Sequence, residues 1–227
     1  MATRSAAQKA AKGRPVARVS DAGLVEHRRA QIVEAATRLV ARQGFANTVV
    51  RDIAEEAKIS VGLVYEYVRS KEDILFLIYD YSAALWKTGF EEALPGGGDP
   101  FDQLRAAVTF LVDVTHRHAD ITHLYYREVG NLTPEGRELA KTYERDMVGR
   151  LAGLIEQAMQ TGQLRPDTDP IALATQLVLL THGWTLKGYL VHEHRTPRSW
   201  ADSILNTTIR GWATTTGCNA WERRRAP

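Results

Sequence analysis

Apolar residues recur along this chain at helical spacing, and no stretch of useful length alternates as a strand would. From Val25, the residues Ile32, Ala36, Leu39, Val40 and Gln43 fall on one face, and Gly44 ends that helix with Phe45 placed to tuck beneath it. Two short periodic segments follow, at about 50–57 and 61–68. Ser70 opens a longer helix through "SKED", a capping-box-like start with an acid at the third helical position. That helix carries Ile74, Leu75, Ile78, Tyr81, Leu85 and Phe90. "LPGGGDP" at 94–100 is a linker that ends in an Asp-Pro helix start. No strand precedes its glycines and no Gly-Lys-Ser/Thr follows them, which argues against a phosphate loop. Further helices are expected at about 101–118, 120–130, 134–161, 170–192 and 197–216. The pattern predicts an all-α chain of about nine helices.

Helices of barely two turns do not hold together alone in water, so the segments at 50–57 and 61–68 must lean on the helix before them. Three small helices with a tight bend between the last two make a helix-turn-helix unit. On a helical wheel Val64 and Val68 share one side with nearby Val61, while Gly62 and Glu66 lie opposite. Ala54 and Ala57 let the two helices approach closely, and Ser60 is a natural N-cap. The outward side then offers Gly62, Leu63, Tyr65 and Glu66, with Tyr67 at its edge. A glycine and exposed aromatics cost a surface helix stability without local gain, and a closely approaching duplex explains them.

In these residues the chain resembles the TetR family of transcriptional repressors. The resemblance covers "GFANTVVRDIAEEAKISVGLVYEYVRSKEDIL" and the helix before it: Gly-aromatic, Thr, Ile-Ala, Ala, Ser-x-Gly-x-x-Tyr and a Lys-Glu helix start. It implies that Ser60, Val61, Gly62, Leu63 and Tyr65 face a major groove, and that Thr48, Tyr67 and Lys71 hold phosphates. It leaves Arg51 to reach either the DNA backbone or a guanine edge. Three positions depart from the family pattern. Val49 stands where a Ser or Thr cap is common, Lys58 replaces the glycine of the bend, and Glu66 puts an acid on the groove-facing side.

A single reading head spans few base pairs, so a second copy is expected to pair with the first on a palindromic, double-stranded operator. The resemblance implies pairing through the last two long helices, and Leu177, Trp184, Ile204, Leu205, Thr208, Ile209 and Trp212 are the interface residues expected from their apolar stripes. The remainder is expected to enclose a small-molecule inducer among Trp86, Phe90, Phe110, Val114, Tyr125, Tyr126, Met147, Leu151, Trp184 and Tyr189. The stretch from His118 to Pro170, with "YRE" and "GQLRPDTD", is similar to the sensor domain of TetR-type regulators of acyl-CoA metabolism. That similarity gives Arg127, and with it Arg137, Lys141 and Arg145, the role of meeting the phosphates of a thioester ligand. Glu138, Glu144 and Asp146 are interleaved, so a solvated face is an equal reading of the last three.

Charge adds a domain outline. Residues 1–20 hold Arg4, Lys9, Lys12, Arg14 and Arg18 with no acid, which marks a basic disordered arm. A helix-turn-helix domain is expected over 21–70, a ligand-binding and dimerisation domain over 71–217, and a basic tail with "RRR" over 218–227. With one cysteine, Cys218, no intramolecular disulfide forms. The longest apolar run is broken by Gln176 and His182, so no membrane partner is expected and a cytoplasmic, nucleoid-associated location is. Histidines occur as i,i+2 pairs that do not face each other, and no HExxH, cysteine pair or G-x-S-x-G appears. No catalytic residue, metal or cofactor is expected, and His182 is read as a core histidine. Two alternatives stay open: a repressor that senses a free hydrophobic compound such as a drug, and a helical interaction protein that does not bind DNA.

Overall fold

A computed structural model describes residues 22–94 and 96–223. The basic arm and the terminal residues 224–227 fall outside the described residues. In chain order the helices are α1 (Ala22–Asn47), α2 (Val50–Glu56), α3 (Val61–Tyr65), α4 (Lys71–Ala93), α5 (Pro100–Arg117), α6 (Ala119–Glu128), α7 (Pro134–Gln160), α8 (Pro170–Leu186), α9 (Gly188–Val191), α10 (Pro197–Trp212) and α11 (Thr215–Arg223). A single 3-10 turn, Val129–Asn131, follows α6. The described residues thus form eleven α-helices, nine of them seven residues or longer, with no strand beyond an isolated bridge between Leu164 and Ala213. None of these helices is long and apolar enough to cross a membrane.

Two compact units emerge, each with its own core. One comprises the chain up to Ala84 together with Asp120–Tyr143; the other comprises Leu85–Ala119 and Glu144 onward. Compactness therefore groups the chain differently from the boundary at residue 70, because α6 and the first turns of α7 join the N-terminal unit.

The first core gathers Ile32, Ala36, Leu39 and Val40 of α1, Ile53 and Ala54 of α2, Val64 of α3 and Ile74, Leu75, Leu77 and Ile78 of α4, closed by Leu124 and Leu132. Each fully buried aliphatic contributes about 1.5–3 kcal/mol, more than an isolated two-turn helix lacks. Gly44, at φ 81° and ψ 157°, stops the helical path of α1 where its spacing predicted a stop. Near that end the carbonyl of Val40 accepts from Arg127 Nη2 at 2.6 Å. Arg127 also donates from Nε to buried Glu128 at 2.8 Å, and Asn131 donates to the other Glu128 oxygen at 2.7 Å. Tyr79 Oη donates to the Tyr125 carbonyl at 3.0 Å, tying α6 to α4.

In the second unit α5 packs against both α8 and α10, which also meet each other. Leu104, Val108, Leu111 and Val112 of α5 bury against Leu173, Leu177 and Val178 of α8 and Ile204, Leu205 and Ile209 of α10. Asp99 caps α5 by accepting from the Phe101 N–H at 2.8 Å, and Asp169 caps α8 through the Ile171 and Ala172 N–H groups, both at 3.0 Å. The helix expected over 170–192 breaks at Lys187, where φ is −121° and ψ 26°. There His192 folds back: Nε2 lies 3.0 Å from the Trp184 carbonyl and its ring 4.1 Å from the Trp184 ring. Gly188 leaves space for that imidazole, since a Cβ would meet His192 Cε1 at 2.8 Å.

The last expected helix ends at Trp212 rather than near 216. Ala213 turns extended, the Arg165 N–H donates to the Trp212 carbonyl at 3.0 Å, and the Thr214 N–H donates to the Gln163 carbonyl at 3.0 Å. A further helix then runs through the start of the expected basic tail. Its Trp221 is buried edge-on to Phe101 at 6.1 Å and donates from Nε1 to Asn206 at 2.8 Å.

Two outcomes follow from these cores. A Cβ at Gly217 would overlap the Gln163 carbonyl oxygen, a backbone atom that cannot swing away. Alanine gains about 1 kcal/mol over glycine in a helix interior, but overpacking costs about 1–3 kcal/mol. Gly217→Ala is therefore expected to lower stability by about 1–2 kcal/mol in urea unfolding, whereas α11 standing free of the 161–165 turn would make it stabilising. Burial pushes the His182 imidazole down to about 4. An unfolded chain binds that proton near 6.5, so stability is complete above pH 6.5 and declines as pH falls toward 4, by on the order of 3 kcal/mol. Unfolding curves at pH 7 and pH 4.5 should show this acid loss shrinking in His182→Leu; an unchanged loss would contradict it.

Candidate nucleic-acid interface

The turn between α2 and α3 is set by local chemistry. The Lys58 N–H donates to the Glu55 carbonyl at 3.0 Å and the Ile59 N–H to the Ala54 carbonyl at 2.9 Å, the paired bonds of a Schellman end. Lys58 sits at φ 56°, the positive value that its replacement of glycine implied, at a cost of about 1 kcal/mol. Ile59 packs on the core, and Ser60 then caps α3, its Oγ accepting from the Leu63 N–H at 3.1 Å. Val49 begins α2 without a side-chain cap. Thr48, expected to hold a phosphate, is buried, and its Oγ1 donates to the Gly44 carbonyl at 2.9 Å.

Val64, Tyr67 and Val68 point inward from the second helix, and Leu63 packs partly against the same core. Outward stand Val61, Gly62 and Tyr65, the last 54% exposed. Val61 thus leaves the buried side the wheel gave it, because α3 is only five residues long and its first residue overhangs the bend. Gly62 has no structural reason to be glycine: its φ is not positive, and an added Cβ would meet nothing within 4 Å. Exposed Arg51 on α2 completes the outer surface, with Glu66 half-buried at the end of α3.

Two of the expected phosphate contacts, Tyr67 and Lys71, lean on the rest of the head itself. Tyr67 is 1% exposed, and its buried hydroxyl has no hydrogen-bond partner. Its ring fills the space that α3 closes over, so it is a core residue. Lys71 turns back on the preceding loop, donating from Nζ to the Ala46 carbonyl at 2.9 Å and lying 4.4 Å from the centre of the Phe45 ring. Beside it is a cation the sequence reading passed over. Arg69 donates from Nε and Nη2 to Asp73 at 3.0 and 3.2 Å, while the Arg69 N–H donates to the same carboxylate at 2.9 Å. The expected capping box is thus shifted by one residue. Burial alone pushes the Asp73 carboxyl up, but the hydrogen bonds and charge of Arg69 reverse this and hold it below the usual carboxylate range.

The expected sensor residues are only partly brought together. In the second unit Trp86, Phe90 and Phe110 form a chain of rings, 5.3 and 6.3 Å between centres, packed with Met147 and Leu151. Trp184 belongs to the same core, donating to His116 Nδ1 at 3.1 Å, and Val114 is half-buried on α5. A groove of about 700 Å³ opens along α5 and the start of α10, and Phe110 is the one expected sensor residue on its wall. Tyr125, Tyr126 and Arg127 belong to the first unit, where Tyr125 stacks with Tyr79 at 4.8 Å, and Tyr189 points outward. Arg137 donates to the Leu132 carbonyl at 2.7 Å and Lys141 to Glu138 at 2.6 Å, while Arg145 is exposed. Arg127, exposed along part of its length, is bonded to Val40 and Glu128. Among the described residues no three His, Cys, Asp or Glu converge as a metal site.

The expected dimer residues are also relocated. Leu177, Trp184, Ile204, Leu205 and Ile209 are buried in the chain's own core, Thr208 is half-buried, and Trp212 lies against Arg165, 5.1 Å from its ring centre. Only Thr208 and Trp212 among them keep part of their surface open. The opposite face of α8 is the uncovered one, with Ile171 56% and Leu179 55% exposed beside Leu180.

Comparison with known proteins fits this geometry. Residues 32–78 match the family described as bacterial regulatory proteins, tetR family, and residues 97–211 match the tetracyclin repressor-like C-terminal domain. The HTH-type transcriptional regulator HbdR of Aromatoleum sp. (strain CIB) is 31% identical over 202 residues, covering 89% of this chain and 88% of that protein. AibR, solved in complex with isovaleryl coenzyme A and operator DNA, shares the fold at a TM-score of 0.68 and 24% identity, over 79% of this chain and 97% of that one. FadR from Bacillus subtilis, solved with stearoyl-CoA, does so at 0.68 and 18% identity, over 80% and 98%.

Removing the orphaned hydroxyl of Tyr67 should relieve a buried, unpaired polar group, worth about 1–3 kcal/mol. Tyr67→Phe is expected to raise the thermal midpoint and leave duplex affinity unchanged. A loss of affinity by fluorescence anisotropy would return Tyr67 to the phosphate-contacting set.

Proposed function

Because the chain belongs to the tetR family of bacterial regulatory proteins, a family of DNA-binding transcriptional regulators and not of enzymes, we propose that it is a repressor that binds a palindromic operator as a homodimer and is released by a hydrophobic or acyl-CoA-type ligand. The observation that carries the DNA reading is Gly62: a glycine on a five-residue helix, required neither by backbone angle nor by packing. Glycine there costs about 1 kcal/mol against alanine, which is intelligible where a base edge must come close. Ser60, Val61, Leu63 and Tyr65 surround it, and Arg51 flanks it.

Pairing proceeds through the outward face of α8. That helix is apolar nearly all round, and its buried side is already used within the chain. Ile171, Leu179 and Leu180, continued by Tyr189 and Leu190 of the following turn, form an uncovered apolar surface of the kind that marks a protein interface. Two copies joined there present two reading heads to half-sites about 34–36 Å apart, or a multiple of that spacing.

For the ligand, the aromatic row Trp86–Phe90–Phe110 with Met147 and Leu151 supplies apolar surface suited to an acyl chain. Support for a thioester comes from the shared fold with AibR and FadR, solved with isovaleryl coenzyme A and stearoyl-CoA respectively. Such a ligand acts only through its different affinity for the DNA-bound and released arrangements. A free hydrophobic effector is the rival, and release of the protein from its strongest site by straight-chain acyl-CoAs but not by the free acids separates the two.

The pairing reading has its own test. Leu179→Asp combined with Ile171→Asp should give a monomer by light scattering and lose at least ~100-fold in operator affinity, the avidity of two linked heads. A dimer persisting in that variant would overturn the assignment of the interface.

A further inference from the structure

We infer that the indole N–H of Trp86 holds the carbonyl oxygen of the ligand's acyl thioester, and so selects acyl ligands over plain alkyl chains. This rests on the acyl-CoA reading and deepens it by naming a polar contact inside the aromatic row. Trp86 Nε1 is buried, and among the described residues it has no hydrogen-bond acceptor. The row holds Phe90, 5.3 Å away between ring centres, then Phe110, Met147 and Leu151, and none of these side chains carries an oxygen. Arg150, with its guanidinium carbon 5.8 Å from the Trp86 ring centre, offers donors only. The carboxylates beside that arginine, Glu91 and Asp146, accept from it at 3.0 and 3.3 Å.

A buried donor without an acceptor lowers the stability of the free protein, and a ligand that supplies the acceptor recovers that loss on binding. Many lone indole N–H groups are met by water and mark nothing more than packing. Here the surroundings favour a ligand. An acyl-CoA carries a single oxygen acceptor at the head of its apolar chain, the thioester carbonyl, and this donor lies within the apolar surface assigned to that chain. Gly89 supplies the approach. A Cβ there would meet Phe110 Cε2 at 2.5 Å and Cζ at 2.7 Å, so the Phe110 ring lies directly on the α4 backbone. Gly89 follows Trp86 by three residues and precedes Ala93 by four, which puts all three on one side of α4. Ala93, Ala106 and Phe110 line the groove of about 700 Å³. The half-buried Phe110 ring therefore stands between that groove and Trp86. With no side chain at position 89, rotation of this ring clears a path along α4 from Ala93 to the indole donor.

The test uses the full-length protein on a duplex selected by the wild type from a random pool, with release read by fluorescence anisotropy. The probes are octanoyl-CoA and hexadecanoyl-CoA, each paired with the S-alkyl-CoA thioether of equal length, which keeps the chain and the nucleotide but lacks the carbonyl. At the chain length that releases better, the wild type should need about tenfold more thioether than thioester, the loss of one hydrogen bond to a buried donor. Trp86→Phe keeps a ring in the row and removes the donor, so its ratio should fall to about one through a weaker response to the thioester. The ratio is taken within each protein, so a change in operator affinity cancels. A second measurement needs no variant: in nitrogen-15 spectra of the wild type, one tryptophan indole signal should move downfield with the thioester and stay in place with the thioether. Equal potency of thioester and thioether in the wild type, no such indole shift, or a tenfold ratio kept in folded Trp86→Phe overturns this inference alone. Release by neither CoA species overturns the acyl-CoA reading beneath it.

Discussion

Helices of seven and five residues exist here only because a third helix buries their inner faces. Without Ile53, Ala54, Val64, Tyr67 and Val68 packed on α1 and the start of α4, neither α2 nor α3 would persist, since chains that short do not retain helical order in water. The surface that reads DNA therefore contributes almost nothing to its own stability, and its outward residues are free to be poor choices for a helix. Gly62 and the exposed ring of Tyr65 are such choices. So is the left-handed Lys58, which closes the Schellman turn at a modest penalty and sets the angle between the two short helices.

The reading unit is not one continuous stretch of sequence. Residues 120–143 complete its core through Leu124 and Leu132, and Arg127 supplies a donor to the Val40 carbonyl close to where Gly44 ends α1. That guanidinium, which the sequence motif suggests for a ligand, is also bonded to α1. Buried Glu128, itself held by Asn131, keeps that guanidinium in place. α4 and α7 each contribute one segment to this unit and another to the second.

Local signals made the helix-turn-helix legible. The Ser60 cap, the glycine stop, the bend residue and the inward Val64 and Val68 are decided within a few residues, so a reading of the chain places them correctly, while the box at Ser70 shifts by one residue and Val61 turns outward. Faces decided by distant partners were not legible. The stripe on α10 is amphipathic, and an amphipathic helix inside a domain turns its apolar stripe to its own core; Ile204, Leu205 and Ile209 do so. α8 has apolar residues on every side, and periodicity cannot say which side stays bare. Tyr67 was misplaced because a tyrosine at the edge of a wheel has a polar tip, and only packing decides whether the ring goes in. α11 escaped notice because "ATTTG" carries no helical period, leaving Trp221 as its sole apolar anchor of size.

The central claim is a small bihelical head, duplicated by twofold pairing, reading a nucleic-acid duplex. The most direct measurement is a binding-site selection with the purified full-length protein on random duplexes, followed by footprinting of the enriched site. The account gives an inverted repeat, protected as two equal half-sites whose centres lie about 10 base pairs, or a multiple of that, apart. Enrichment of a single asymmetric motif bound by one copy, or no enrichment at any salt concentration, would contradict it.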